Sequence, residues 1–132
     1  MSSFFYLNYE DILQIHQDVI DDSGGGKGIR DRTGIDIAVD TPQTSYFGED
    51  QYPTLVEKAA ILCFILIIRH PFIDGNKRVG HSAMAHFLYM NGFIIDSDDS
   101  EQEAIILKVA AGEMDKETFT EWLKSKTIPF KP

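Results

Sequence analysis

Ten consecutive apolar residues, Ala59-Ala60-Ile61-Leu62-Cys63-Phe64-Ile65-Leu66-Ile67-Ile68, stand between Lys58 and Arg69. Such a run has no polar face to turn toward water, and it falls well short of the ~20 residues a membrane-spanning helix needs. It therefore belongs at the centre of a core, as a helix buried on all sides. Its start is marked by Thr54-x-x-Glu57, a capping box, with Pro53 beside the helix start. Its end falls at about Arg69, because Pro71 disfavours helical geometry at His70. A chain of 132 residues with 43% apolar content suffices to bury one core, and the expectation is a single domain over residues 1–132.

The segment that this helix delivers is His70-Pro71-Phe72-Ile73-Asp74-Gly75-Asn76-Lys77-Arg78. A second helical pattern follows, with Val79, Ala83, Met84, Phe87, Leu88 and Met90 inward and Asn91-Gly92 as its stop. The segment is thus a loop that enters a helix. Gly75 permits a tight turn and a close ligand approach. Asn76, Lys77 and Arg78 open the next helix, where free N–H groups and the helix dipole attract anions. Two adjacent cations strengthen that site, and arginine can hold a phosphate through two parallel bonds. Asp74 is an anion in a place built for anions. A divalent cation between it and phosphate oxygens resolves the conflict, as Mg²⁺ commonly binds through one or two carboxylates plus phosphates. His70 suits a general base, since an unperturbed imidazole changes charge near pH ~6.5. Phe72 is expected to anchor the loop by packing. The residue types point to a Mg-nucleotide site with a base for a hydroxyl; they also fit a capped, solvated turn.

Along the rest of the chain, Asn8 to Asp21 reads as the first helix, with Asn8 as N-cap and Ile12, Leu13, Ile15, Val19 and Ile20 at helical spacing. His16 lies on or beside that stripe, and a core histidine with its ring satisfied is the expected reading. Ser23-Gly24-Gly25-Gly26-Lys27-Gly28 is no phosphate loop, since no strand precedes it and no Ser or Thr follows the Lys; a flexible connector is expected. Arg30 to Val39 makes a short helix. Asp40 to Gln51 is the most loop-like stretch, and its aromatics and β-formers permit a small hairpin. On its residues alone it reads as a surface loop whose Tyr46 and Phe47 seal the core. Phe93-Ile94-Ile95 reads as an extended link, Ser100 to Ala111 as a helix behind the acidic cap Asp96–Asp99, and Asp115 caps a last helix through Lys124. His81 shares the face of Lys77 and Arg78, while His86 is expected to be partly buried.

The net charge of −9 disfavours broad nucleic-acid binding, which wants a basic face. The single cysteine, Cys63, precludes an internal disulfide and fits a reducing cytoplasm. No basic-then-apolar secretory signal is visible, so cytoplasmic localisation is the expectation.

The motif His70 to Arg78 resembles the signature of the Fic/Doc family, His-x-Phe-x-(Asp/Glu)-Gly/Ala-Asn-x-Arg. The resemblance extends to His16, the Gly24–Gly28 run, Gly34, Pro42-Gln43, Phe47-Gly48, Tyr52-Pro53, Glu57-Lys58-Ala59-Ala60, Asn91-Gly92 and Ala110-Ala111-Gly112-Glu113, which look like the compact death-on-curing branch. It implies an all-α fold, a compact Fic-type helical bundle with a small β-hairpin-like flap, and a toxin of a toxin–antitoxin pair. Adenylylating members carry Gly where this chain has Lys77 and usually a further Arg where it has His81; death-on-curing toxins have the Lys and lack that Arg. By resemblance the Lys changes how ATP sits, so that the γ-phosphate faces the target. The implied activity is a Mg-ATP-dependent protein kinase acting on a Ser or Thr hydroxyl, with AMP transfer on the same scaffold, or a catalytically silent interaction module, as the alternatives. The implied roles are His70 as catalytic base and Asp74 as the Mg²⁺ ligand. Gly75, Asn76, Lys77 and Arg78 would bind nucleotide phosphates, with His81 a lesser member. Gln43, Thr44, Ser45, Tyr46 and Phe47 would dock the target, for which the resemblance suggests a translation factor such as elongation factor Tu. The inhibitory Ser/Thr-x-x-x-Glu-Gly/Asn run of many Fic proteins is missing. Restraint is therefore expected from an antitoxin whose C-terminal segment folds on this surface.

Overall fold

A computed structural model describes residues 3–130. The apolar run forms α3 (Leu55–Arg69), and the other helices surround it: α1 (Tyr9–Ser23), α2 (Arg32–Asp40), α4 (Asn76–Met90), α5 (Asp99–Ala110) and α6 (Lys116–Lys126). Ala59, Ala60, Cys63 and Leu66 have no exposed surface, and α3 packs against α2, α4, α5 and α6. Burial pushes the Cys63 thiol far above its ordinary value, so it sits in the core as an inert thiol. The fold is all-α, a helical bundle with two small two-stranded sheets among the described residues.

The helix starts follow from local chemistry. Thr54 and Glu57 form the capping box of α3, and Asn8 forms one with Asp11 at α1. Asp31, Asp98 and Asp115 cap α2, α5 and α6 through their carboxylates. Gly80 lets α4 lie close on α3, since a Cβ there would meet Ile67 Cγ1 at 2.9 Å and the Cys63 carbonyl at 3.1 Å.

The flap region contains a 3₁₀ turn (Thr41–Gln43) and the hairpin β1 (Ser45–Tyr46) to β2 (Glu49–Asp50), turned at Phe47-Gly48. Phe93–Ile95 is more than the extended link expected: as β3 it pairs antiparallel with β4 (Thr127–Pro129). The paired residues lie 32 to 36 positions apart in the chain (Ile95 against Thr127, Phe93 against Pro129), and three residues with a proline carry no strand signal of their own. His86 is exposed, not partly buried. No helix among the described residues is long and apolar enough to cross a membrane.

Candidate active site

The site begins where α3 ends. Residue 70 adopts the left-handed conformation (φ 48°, ψ 57°), which costs a non-glycine residue about 1–2 kcal/mol. Helix ends leave carbonyls without partners, and Pro71 has no N–H to return to them. The structure supplies other donors. The His70 ring meets the Ile68 carbonyl through Nδ1 at 3.1 Å. Arg30 donates from Nη2 to the Arg69 carbonyl at 2.7 Å and from Nε to the His70 carbonyl at 2.8 Å. The backbone N–H groups of Arg30 and Asp31 both donate to the Pro71 carbonyl. A carbonyl only accepts, so the contact with Ile68 places the His70 proton on Nδ1 and leaves the lone pair on Nε2. That is the arrangement a general base needs, on an exposed residue.

Phe72 is the expected anchor. It is 1% exposed, and its ring stacks on His16 with centroids 3.9 Å apart and planes 5° off parallel. His16 is a core histidine, as its position on α1 implied, and its Nε2–H donates to the Asp74 carbonyl at 3.0 Å. The glycine-rich segment is no free connector. The Gly26 N–H donates to Asp74 Oδ2 at 2.9 Å, the Ile73 N–H to the Gly28 carbonyl at 3.2 Å, and Ile29 pairs antiparallel with Phe72. Composition signalled its local freedom; docking against the motif loop removes that freedom.

Gly75 turns the chain into α4 at φ 83° and brings no side-chain cap, so the first-turn N–H groups of Asn76, Lys77 and Arg78 remain open for an anion. Lys77 and Arg78 are exposed beside them, and Arg78 meets Asp22 at 3.5 Å across the surface. The side chain of Asn76 faces a different partner from the phosphate expected of it. Its Oδ1 accepts from the Phe72 N–H at 2.9 Å and its Nδ2 donates to the Phe72 carbonyl at 3.0 Å, which staples the loop to the helix. For a divalent cation, Asp74 is exposed and only its Oδ2 has a partner among the described residues. One free carboxylate oxygen next to open phosphate donors fits Mg²⁺, which takes one carboxylate and completes its shell with phosphate and water. His81 is half-buried and donates from Nε2 to Gln102 Oε1 at 2.7 Å; it lines a groove of about 490 Å³ together with Lys77, Arg78 and residues of α5.

The flap residues lie in two settings. Gln43 and Thr44 bond back to the end of α2, at the Val39 and Asp40 carbonyls. Ser45 and Tyr46 form β1, and Tyr46 is 60% and Phe47 106% exposed, so neither ring seals the core. What holds the hairpin is a residue that the sequence marks as the edge of the apolar run, with no role of its own. Lys58 has no exposed surface; its Nζ donates to the Pro42 carbonyl at 2.9 Å and to Asp50 Oδ2 at 3.2 Å, beneath the rings of Phe4 and Tyr6. The signal was its place one residue before the apolar run. Arg30 was the other omission, and the proline after His70 was its signal, since it denies α3 a backbone cap.

The end of α3 and the open start of α4 thus bring an oriented histidine, a free carboxylate oxygen and two cations to one loop of a helical domain. The chain matches the model of the Fic/DOC family over residues 6–88, and it belongs to that family. It is also similar to a protein named Toxin Doc from Mycolicibacterium smegmatis, with 37% identity over 112 residues, spanning 83% of this chain and 84% of the relative.

Proposed function

We propose that this chain is a toxin of the death-on-curing type that transfers the γ-phosphoryl group of ATP to a Ser or Thr hydroxyl of a target protein. The observation that carries the reading is Lys77 beside the open N-terminus of α4, at the position where adenylylating relatives have glycine. A long cation there takes up space and charge next to one phosphate, and the nucleotide must seat differently around it. The open N–H groups with Arg78 bind the phosphates. His70 Nε2 takes the hydroxyl proton of the target, the hydroxyl oxygen bonds to the γ-phosphorus, and the bond from that phosphorus to the bridging oxygen breaks to release ADP. A Mg²⁺ held by Asp74 and phosphate oxygens would supply charge neutralisation during transfer, and the rest is positioning and electrostatics. Asn76 serves by fixing the loop rather than by offering its amide. The edge of β1, with Tyr46 and Phe47, supplies main-chain groups and rings for a target segment.

The name of the similar protein supports a toxin–antitoxin pair and hence an antitoxin as partner. The reading puts the action in the cytoplasm, on a target such as a translation factor. The test is label transfer with Mg²⁺ and two ATP samples, one labelled at the γ- and one at the α-phosphate, with cell extract as the source of target. The γ-label alone should move, and His70→Ala should reduce transfer by about 10²–10⁴-fold while remaining folded. Transfer of the α-label instead would make the activity AMP transfer and remove the role given to Lys77.

A further inference from the structure

We propose that Arg30 is a positioning residue for His70; the proposal rests on the reading of His70 as the base. The two peptide planes that flank the His70 Cα carry the Arg69 and His70 carbonyls, and the Arg30 side chain bonds to both, at 2.7 Å and 2.8 Å. Nε–H and Nη2–H lie in one rigid plane. A fork of that kind fixes the relative orientation of the two carbonyls and so fixes φ and ψ of the residue between them. The next plane is held as well, since the Pro71 carbonyl accepts from the N–H groups of Arg30 and Asp31 at 2.8 Å and 2.9 Å. Water could satisfy carbonyls at an exposed helix end. It could not hold a histidine at φ 48° against the preference for right-handed geometry. The ring contact with the Ile68 carbonyl, and with it the placement of the lone pair on Nε2, follows from that backbone conformation. Arg30 thus sets the tautomer of the base through the main chain, without touching the ring.

The experiment pairs two readouts on the full chain, with Arg30→Ala and Arg30→Lys as variants and circular dichroism to confirm folding. The first is the nitrogen-15 spectrum of the His70 ring, assigned by its loss in His70→Ala. The native protein should show a neutral ring protonated at Nδ1, and Arg30→Ala should shift it toward the mixture of tautomers of a free side chain. The second is the initial rate of γ-label transfer at varied ATP. Arg30→Ala should lower the maximal rate by about 100-fold, the scale of a misplaced reacting group, with the apparent KM for ATP unchanged. Arg30→Lys, which offers one point donor in place of a fork, should fall between, and it serves as the test should Arg30→Ala fail to fold. A native ring spectrum and native rate in the folded variants would overturn the proposal and leave Arg30 a helix cap. Full transfer by His70→Ala would instead overturn the base reading, a result that neither Arg30 variant can produce.

Discussion

The loop that carries His70 and the hairpin that ends in Phe47 are both short and both turn on a left-handed glycine, Gly75 at φ 83° and Gly48 at φ 82°. They are held in opposite ways. The motif loop is gripped by His16 from α1, by Gly26 from the glycine-rich segment, by Arg30 and by Asn76 of its own helix. The hairpin has two register pairs, one buried lysine at its base and open space around Gly48. The chemistry proposed for the loop needs atoms kept in place to a fraction of an ångström, and such grips suit that need. A surface offered to a partner needs free main-chain edge and exposed rings, and weak local tethering suits it.

Three substitutions break or sharpen this contrast. Phe72→Ala should do the most damage, because it removes a buried ring stacked on His16; the expected loss is about 3–5 kcal/mol in denaturant unfolding. A smaller loss than that of the next variant would mean that the loop is not the more firmly held region. Lys58→Met leaves the Pro42 carbonyl and the Asp50 carboxylate without their donor, at about 1–3 kcal/mol. Hydrogen exchange should speed up over residues 42–50 and stay native over residues 70–76; equal acceleration in both would show one cooperative unit. Phe47→Ser should change stability by no more than about 0.5 kcal/mol. It should still raise the apparent KM for the target protein and leave that for ATP alone, and an unmoved target KM would remove Phe47 from docking.

The parts of the fold that the sequence makes legible are those decided within one turn of chain. Thr54 with Glu57 and Asn8 at the head of α1 act on residues three away, and they cap the helices expected of them. Phe72 and His16 are legible as well, as an apolar anchor in a polar motif and a histidine on an apolar stripe. The components of the candidate site could be named because they sit in nine consecutive residues. What holds them could not, because Gly26 lies 48 residues from Asp74 and Arg30 40 residues from His70. Glycine content speaks of local freedom and is silent about what the segment lies against. Asn76 shows the same limit in another form: its residue type suited a phosphate, and its geometry gives it to the Phe72 backbone.

The long reach of Arg30 has a consequence for when the protein becomes competent. The histidine, the carboxylate and the cations are all present in the peptide 70–78, but the carbonyls on either side of the histidine are held by a residue 40 positions before it. With His70 as the proposed base and Arg30 as its proposed positioning residue, competence arises together with the completed tertiary structure. On that proposal, a chain still emerging from the ribosome, or one partly unfolded, carries the whole motif and is chemically silent.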